Sequence, residues 1–230
     1  MILKKWEDFP EEMKNEYVKK YYDQISNKKV SLISKRLFDI LVSLLILIIL
    51  LPIMILISII IKIDSNGPIF FKQKRVTQYG RIFYILKFRT MKVNSESYGH
   101  LTCKNDPRVT KVGFFLRKFK IDEFPQLINI LLGDMTFVGT RPEVPEYVEQ
   151  YTDEMLSTLI LPAGVTSISC IEFRDESKYL LNVSDANRVY LNDILPKKMK
   201  YNIEYLNDFN IFTDIKIMIL TFLKTFKFMR

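Results

Sequence analysis

The sequence predicts a mostly helical α+β protein seated on a membrane. Three observations carry that reading. An uncharged apolar run from Ile40 to Ile61 has a proline near its middle. Two alternating segments joined by a tight turn follow it directly, and both ends of the chain carry charged amphipathic stretches rich in aromatics.

The apolar run would make a straight helix about 33 Å long, enough for a hydrocarbon core of about 30 Å. It stands behind a highly charged segment, which does not resemble a cleavable signal peptide. Lys28, Lys29, Lys35 and Arg36 precede it, and Lys62, Lys72, Lys74 and Arg75 follow it. Basic residues mark the cytoplasmic side, and here both flanks are marked. Pro52 removes a backbone donor near the middle and favours a kink. A re-entrant helix that bends at Pro52 satisfies both flanks, whereas a single span satisfies one.

The segment before Lys35 is charged, with Trp6, Phe9, Tyr17, Tyr21 and Tyr22 scattered through it. It reads as one or two amphipathic helices lying over the domain or on the membrane surface. After the apolar run, Ile69–Val76 and Ile82–Arg89 read as strands around a Gln78-Tyr79-Gly80 turn. Alternation puts Lys72 and Lys74 on one face of the first strand, and Lys87 and Arg89 on one face of the second. That face is either simply solvated or set to meet anions. Asn94–Pro107 is loop-like, and helices are expected over Val112–Lys120 and Glu123–Leu132, with Gly133 as a stop. Ile215, Met218, Ile219, Phe222, Leu223 and Phe226 fall at helical spacing near the C-terminus. They suit an interfacial amphipathic helix or a core-packing one.

Composition narrows the chemistry. A net charge of +8 favours anionic partners: phosphorylated metabolites, an acidic lipid surface or nucleic acid. No helix-turn-helix or zinc-finger pattern supports nucleic acid, and neither G-x-x-x-x-G-K-[ST] nor G-x-G-x-x-G occurs. His100 is the single histidine, and Cys103 and Cys170 have no metal-ligand or disulfide spacing. Catalysis would therefore fall to carboxylates, lysines, arginines or hydroxyls. The strongest candidates are Asp122 and Glu123 in "KFKIDEFPQLINILLGD". As a helix N-terminus, with Pro125 in the first turn, they need no further explanation. Arg108, Arg117, Lys118 and Lys120 upstream and Arg141 downstream add a second possibility: a phosphate site containing a carboxylate nucleophile or a Mg²⁺ ligand.

Taken in order, "KRLFDI", "DSNGPIFFKQKRV", "FYILKFRTM", "NDPRVTKVGFFLRK", "IDEFPQLINILLGDM", "FVGTRPEV" and "LPAGVTS" resemble the bacterial sugar transferases, the monotopic polyprenyl-phosphate phosphoglycosyl transferases. The likeness covers Lys35 to about Ser167, with a weaker echo in "DIKIMILTFLK". It implies residues 1–34 as an N-terminal amphipathic segment, 35–62 as a re-entrant membrane helix, and 63–230 as a cytoplasmic catalytic domain ending in an amphipathic helix. It implies transfer of a sugar-1-phosphate from a UDP-sugar to undecaprenyl phosphate at the cytoplasmic face of the bacterial inner membrane, with release of UMP. Asp122 takes the place of the family nucleophile, and Glu123 that of the Mg²⁺-holding acid. Lys87, Arg89, Arg108, Arg117 and Arg141 match family positions that bind phosphates.

The chain departs from the family pattern in four places: Leu51 replaces a serine before Pro52, Thr140 replaces a proline, "DELPQ" becomes "DEFPQ", and "ISCIEFRDES" replaces the segment expected to influence the sugar. Arg174, Asp175 and Glu176 are candidates within that last stretch. The sequence lacks the extra N-terminal membrane helices of larger relatives and is expected to be a short catalytic-core form. The resemblance fixes neither the sugar nor the oligomeric state, a homo-oligomer included. The competing reading is a non-catalytic basic scaffold held at the membrane surface by its charge.

Overall fold

The computed structural model describes residues 1–93, 106–174 and 185–227, with side chains given through Lys224. Most of the loop expected at Asn94–Pro107 lies outside the described residues, as do His100, Cys103, Asp175, Glu176 and the side chain of Phe226. Two short 3-10 turns lead into helix α1 (Glu16–Ser26), which is followed by the long helix α2 (Lys29–Asp64). Strands β1 (Phe70–Val76) and β2 (Ile82–Phe88) form the hairpin. Then come α3 (Lys111–Lys118), α4 (Gln126–Leu132), β3 (Met135–Val138), α5 (Pro145–Val148), β4 (Ala163–Thr166) and α6 (Ile168–Glu172). Helix α7 (Ala186–Val189) passes through a π-helical turn into α8 (Leu195–Asn207), and α9 (Ile211–Lys227) closes the chain. The molecule is mostly helical, with one long apolar helix near the N-terminus.

The N-terminal segment packs over the domain. Asn15 caps α1 by accepting a hydrogen bond from Val18 N at 2.9 Å. Val18, Tyr21 and Ile25 recur on one face and are buried. Ahead of α1, the buried Phe9 ring sits 4.8 Å from that of Tyr79, at the tip of the hairpin turn.

Helix α2 runs as one continuous helix of 36 residues with Pro52 inside it. One stripe is buried: Leu32, Lys35, Asp39 and Ser43 in the first half, Met54, Ile57 and Ile61 in the second. The opposite side leaves large apolar groups exposed, among them Leu45, Ile48, Ile49 and Leu56. The basic flank expected at Lys35 and Arg36 does a different job. Lys35 is 1% exposed and donates 2.7 Å bonds to Val138 O and to Asp214 Oδ2 of α9. Tyr205 OH completes the pair by donating to Asp214 Oδ1 at 2.6 Å. Arg36 donates to Ile130 O and Leu131 O at 2.6 and 2.8 Å, adding to the Gly133 N–H on Ile130 O at the end of α4. One turn on, Asp39 accepts Thr136 Oγ1 at 2.7 Å and Phe137 N at 3.1 Å, both in β3. Charges i, i+1 and i+4 along α2 thus grip three separate elements.

The far end of α2 is closed by Arg89, which donates to Ser65 O at 2.6 Å and Ser65 Oγ at 3.0 Å. Gly67, at φ 129°, lets the chain turn back over that guanidinium; a Cβ there would fall 2.2 Å from Arg89 Nη1. The hairpin is antiparallel, with Phe70 opposite Phe88 and Val76 opposite Ile82. A second, parallel pair joins β3 to β4, Met135 opposite Ala163 and Val138 opposite Thr166. The sequence reading has no counterpart for it, because strands of four residues carry too little periodicity to be seen. The apolar stripe of α9 points outward, with Ile219, Phe222 and Leu223 exposed, while Asp214 and Ile217 form its buried face. Met218 of that stripe packs against the buried core, while Ile219, Phe222 and Leu223 are left uncovered.

Lys35→Ala should strand Asp214 as a buried charge and cost about 3–5 kcal/mol. Thermal unfolding of the purified chain in detergent should register this as a clear drop in Tm.

Candidate active site

The site begins with a break between two helices. Thr110 caps α3 by accepting Gly113 N at 3.0 Å, and α3 ends at Lys118. Lys120 then adopts a left-handed conformation, φ 58°, and a 3-10 turn over Ile121–Glu123 follows. The acids expected at the first residues of an α-helix therefore lie in this tighter turn, with α4 starting three residues beyond Glu123. A left-handed lysine re-aims the chain so that Asp122 points inward, where it is 7% exposed.

Glu123 organises the cations. Its Oε1 accepts both Lys87 Nζ at 3.1 Å and Arg141 Nη2 at 3.0 Å. Lys87 comes from β2, whose register against α4 is fixed by Asn129: its amide donates to Tyr84 O and its oxygen accepts Leu86 N, both at 2.9 Å. Arg141 comes from the turn after β3, in the same segment whose Gly139 N bonds Thr166 O at 3.0 Å. Arg117 places its Nε 2.8 Å from Thr90 Oγ1, and its charge acts on Asp122.

The neighbouring carboxyls respond oppositely. Burial, then the negative charge of Glu123, push Asp122 above the usual carboxylate range. Burial alone would raise Glu123 as well, but Arg141, Lys87 and Lys120 outweigh it and hold the group well below that range. Arg141 is pushed above its ordinary value, first by Glu123. Lys87 and Arg117 are lowered by burial, with the acids opposing the shift.

Of the residues singled out from the sequence, Asp122, Glu123, Lys87, Arg117 and Arg141 come together. Arg108 lies against Asp106, its Nε 2.9 Å from Oδ1, an arrangement that keeps Asp106 at about 2. Arg89 is turned to Ser65 at the end of α2, and Pro52 is exposed midway along that helix. Arg174 donates to Lys224 O in α9 at 2.9 Å. Sequence reasoning missed Thr90, which follows Arg89 directly and braces Arg117. Cys170 lies close enough to Arg141 to act on its charge, and it accepts Ser167 Oγ at 3.2 Å. The first part of "ISCIEFRDES" forms α6.

The donor set suits a hard cation that needs few protein ligands. Among the described residues no group of three or more His, Cys, Asp or Glu side chains is gathered. Glu123 Oε1 takes both cationic donors, while Oε2 receives no hydrogen bond from the described residues. Mg²⁺ is typically bound through one or two carboxylates, with phosphate oxygens and water completing its octahedron. Glu123 Oε2 fits that role.

The domain carries one long apolar helix and surrounds two adjacent carboxylates with lysine and arginine, an arrangement whose chemistry suits phosphate. The chain belongs to the bacterial sugar transferase family, whose pattern it matches over residues 30–228. It is 35% identical over 217 residues to the galactosyl transferase CpsE of Streptococcus agalactiae serotype III (strain NEM316), covering 89% of this chain and 44% of that protein. It is also 35% identical over 203 residues to the UDP-glucose:undecaprenyl-phosphate glucose-1-phosphate transferase of Escherichia coli (strain K12), covering 86% and 41%. With a Bacillus subtilis (strain 168) protein named as an uncharacterized sugar transferase, EpsL, it shares 32% identity over 190 residues, 83% of this chain and 86% of that one. The chain spans less than half the length of the first two relatives.

Gly164 faces Gly139 so closely that a Cβ would lie 2.2 Å from the Gly139 backbone. Gly164→Ala should push the Thr140–Arg141 turn away from Glu123. The expected result is at least a tenfold loss of transferase activity, measured on variant protein that still shows a cooperative thermal transition.

Proposed function

We propose that this protein transfers a sugar-1-phosphate from a UDP-sugar to undecaprenyl phosphate, through a covalent phosphosugar on Asp122. The carrying observation is the inward-facing Asp122 beside a Glu123 clamped by Lys87 and Arg141. Family membership and relatives named as UDP-glucose:undecaprenyl-phosphate and galactose transferases support the reaction class. In the first step the Asp122 carboxylate attacks the phosphorus that bears the sugar, and the bond to the departing UMP oxygen breaks. In the second, an oxygen of the lipid phosphate attacks the same phosphorus and the Asp122 carboxylate leaves. Two displacements let a water-soluble donor and a lipid acceptor use one site in turn.

Lys87, Arg117 and Arg141 hold phosphate oxygens and offset the repulsion between an anionic nucleophile and an anionic diphosphate. Arg141, presenting a planar fork, can bind a phosphate while it steadies Glu123. Mg²⁺ held at Glu123 Oε2 would supply further charge stabilisation on the diphosphate.

The reading includes a re-entrant α2 at the cytoplasmic face of the bacterial inner membrane. Both halves of the helix touch the same body: Lys35, Arg36 and Asp39 grip β3, α4 and α9, while Met54, Ile57 and Ile61 pack with Phe88 and Leu116. A helix that crossed about 30 Å of hydrocarbon would carry one of its ends away from that body. Exposed Phe114, Phe115, Leu132, Phe222 and Leu223 offer further apolar surface to lipid. Residues 63–230 are then the cytoplasmic catalytic domain.

Asp122→Asn should abolish both UMP release from a UDP-sugar and trapping of labelled sugar phosphate on the chain. An adduct on the Asn variant would remove Asp122 as nucleophile. No UMP release from wild type across a panel of UDP-sugars with Mg²⁺ would favour the scaffold reading. For the helix, Lys29→Cys and Lys72→Cys, each made in a background lacking Cys103 and Cys170, should react with a membrane-impermeant thiol reagent from the same side of the bilayer. Labelling from opposite sides would make α2 a single span.

A further inference from the structure

Among the described residues, Asp122 and Gln126 both carry buried polar atoms without a partner. Asp122 Oδ1 is sealed from solvent and accepts no hydrogen bond. Gln126 is 1% exposed, and neither its Nε2 nor its Oε1 is bonded. Buried amides are nearly always satisfied, because an orphaned donor or acceptor keeps its full desolvation cost. One such group near a reacting centre calls for a reason; two call for a shared one.

The backbone supplies it. Phe124 and Pro125 are helical, so the 3-10 turn runs into α4 without a break. Asp122 and Gln126 are then four residues apart along one tightly wound stretch of backbone, and Gln126 and Asn129, i and i+3, share the buried face of α4. Asn129 continues the same stripe and is bonded to the β2 backbone at Tyr84 and Leu86. Lys87, the next residue of β2, reaches Glu123. Gln126 thus lies along the chain between the Asn129 clamp and the acid pair, with its side chain buried.

We propose that Gln126 is a further catalytic residue: its side-chain N–H serves Asp122 Oδ1 when the carboxylate leaves phosphorus. This rests on the covalent reading above. With Oδ1 sealed, attack falls to Oδ2, and Oδ1 becomes the carbonyl oxygen of the acyl phosphate. In the second displacement a lipid-phosphate oxygen bonds to phosphorus and the phosphorus–Oδ2 bond breaks. Its electron pair returns to the carboxylate, and negative charge develops on Oδ1. A Gln126 N–H turned onto Oδ1 stabilises that charge without transferring a proton. The same hydrogen bond makes the free carboxylate a slightly weaker nucleophile, so the two half-reactions depend on Gln126 in opposite directions.

The test uses the full chain in detergent with Mg²⁺. UDP-glucose, UDP-galactose and UDP-N-acetylgalactosamine, each carrying labelled sugar, serve as donors, and undecaprenyl phosphate is added as the chase. Gln126→Met keeps the shape of the side chain and removes its polar end. The variant should form the adduct at or above the wild-type rate and discharge it to lipid about a hundredfold more slowly, the low end for losing one preorganised donor. Its Tm should equal or exceed that of wild type, since an unsatisfied amide is gone. Discharge at the wild-type rate overturns the proposal. So does a folded variant that never forms the adduct, which would place Gln126 in donor binding, and so does a lowered Tm, which would mean the amide has protein partners. A wild-type protein that forms no adduct removes the covalent reading itself, whereas a wild-type adduct with an unaltered variant removes the Gln126 role alone.

Discussion

Everything in this structure hangs on a polar foothold at the base of an apolar helix. Lys35, Arg36 and Asp39 are charged groups at the start of α2, and all three are spent inside the protein. A buried ion pair such as Lys35–Asp214 adds little net stability over an apolar replacement, because desolvation offsets its attraction. What it adds is registry. Each of the three side chains accepts only one geometry from its partner, so α2 is fixed in rotation and depth against β3, α4 and α9. An apolar contact of equal area would let a helix facing lipid slide or turn, since its other faces are nearly alike.

That registry reaches the chemistry along two short routes. Arg36 holds the C-terminal end of α4, whose other end carries the acid pair. Asp39 holds β3, which leads within three residues of its last strand position to Arg141. Helix α2 thus positions the carboxylates and their arginine through rigid elements of seven and four residues.

Legibility in the sequence followed the length scale of each signal. The apolar helix, the hairpin and the amphipathic α9 were readable because their patterns repeat over many residues. Asp122, Glu123, Lys87, Arg117 and Arg141 were readable as a set of types suited to phosphate, and they do converge. Three features were hidden. The β3–β4 pair is too short for periodicity, and its parallel pairing joins residues far apart in sequence. Lys35 and Arg36 looked like a membrane flank because nothing local shows that Asp214 and the α4 carbonyls will meet them. Arg89 shares a strand face with Lys87, yet it lies just past the end of β2, where the chain leaves the sheet and the side chain turns to Ser65. Alternation says which face a residue takes, not where the strand stops.

The acid pair is where local and global requirements converge. Adjacent carboxylates in one turn repel, and a simple capping role would leave both in solvent. Here the left-handed Lys120 turns one inward and leaves the other to two cations. Burial favours the neutral form of Asp122, while Lys87 and Arg141 hold Glu123 ionised. Two chemically similar side chains, adjacent in sequence, are thereby driven to different behaviour by environment alone. A carboxylate that is costly to keep charged is a ready nucleophile once cations and a bound phosphate enclose it. A carboxylate locked in its charged form is a steady metal ligand. The difference between them follows from which way each side chain points, and Lys120 sets that direction.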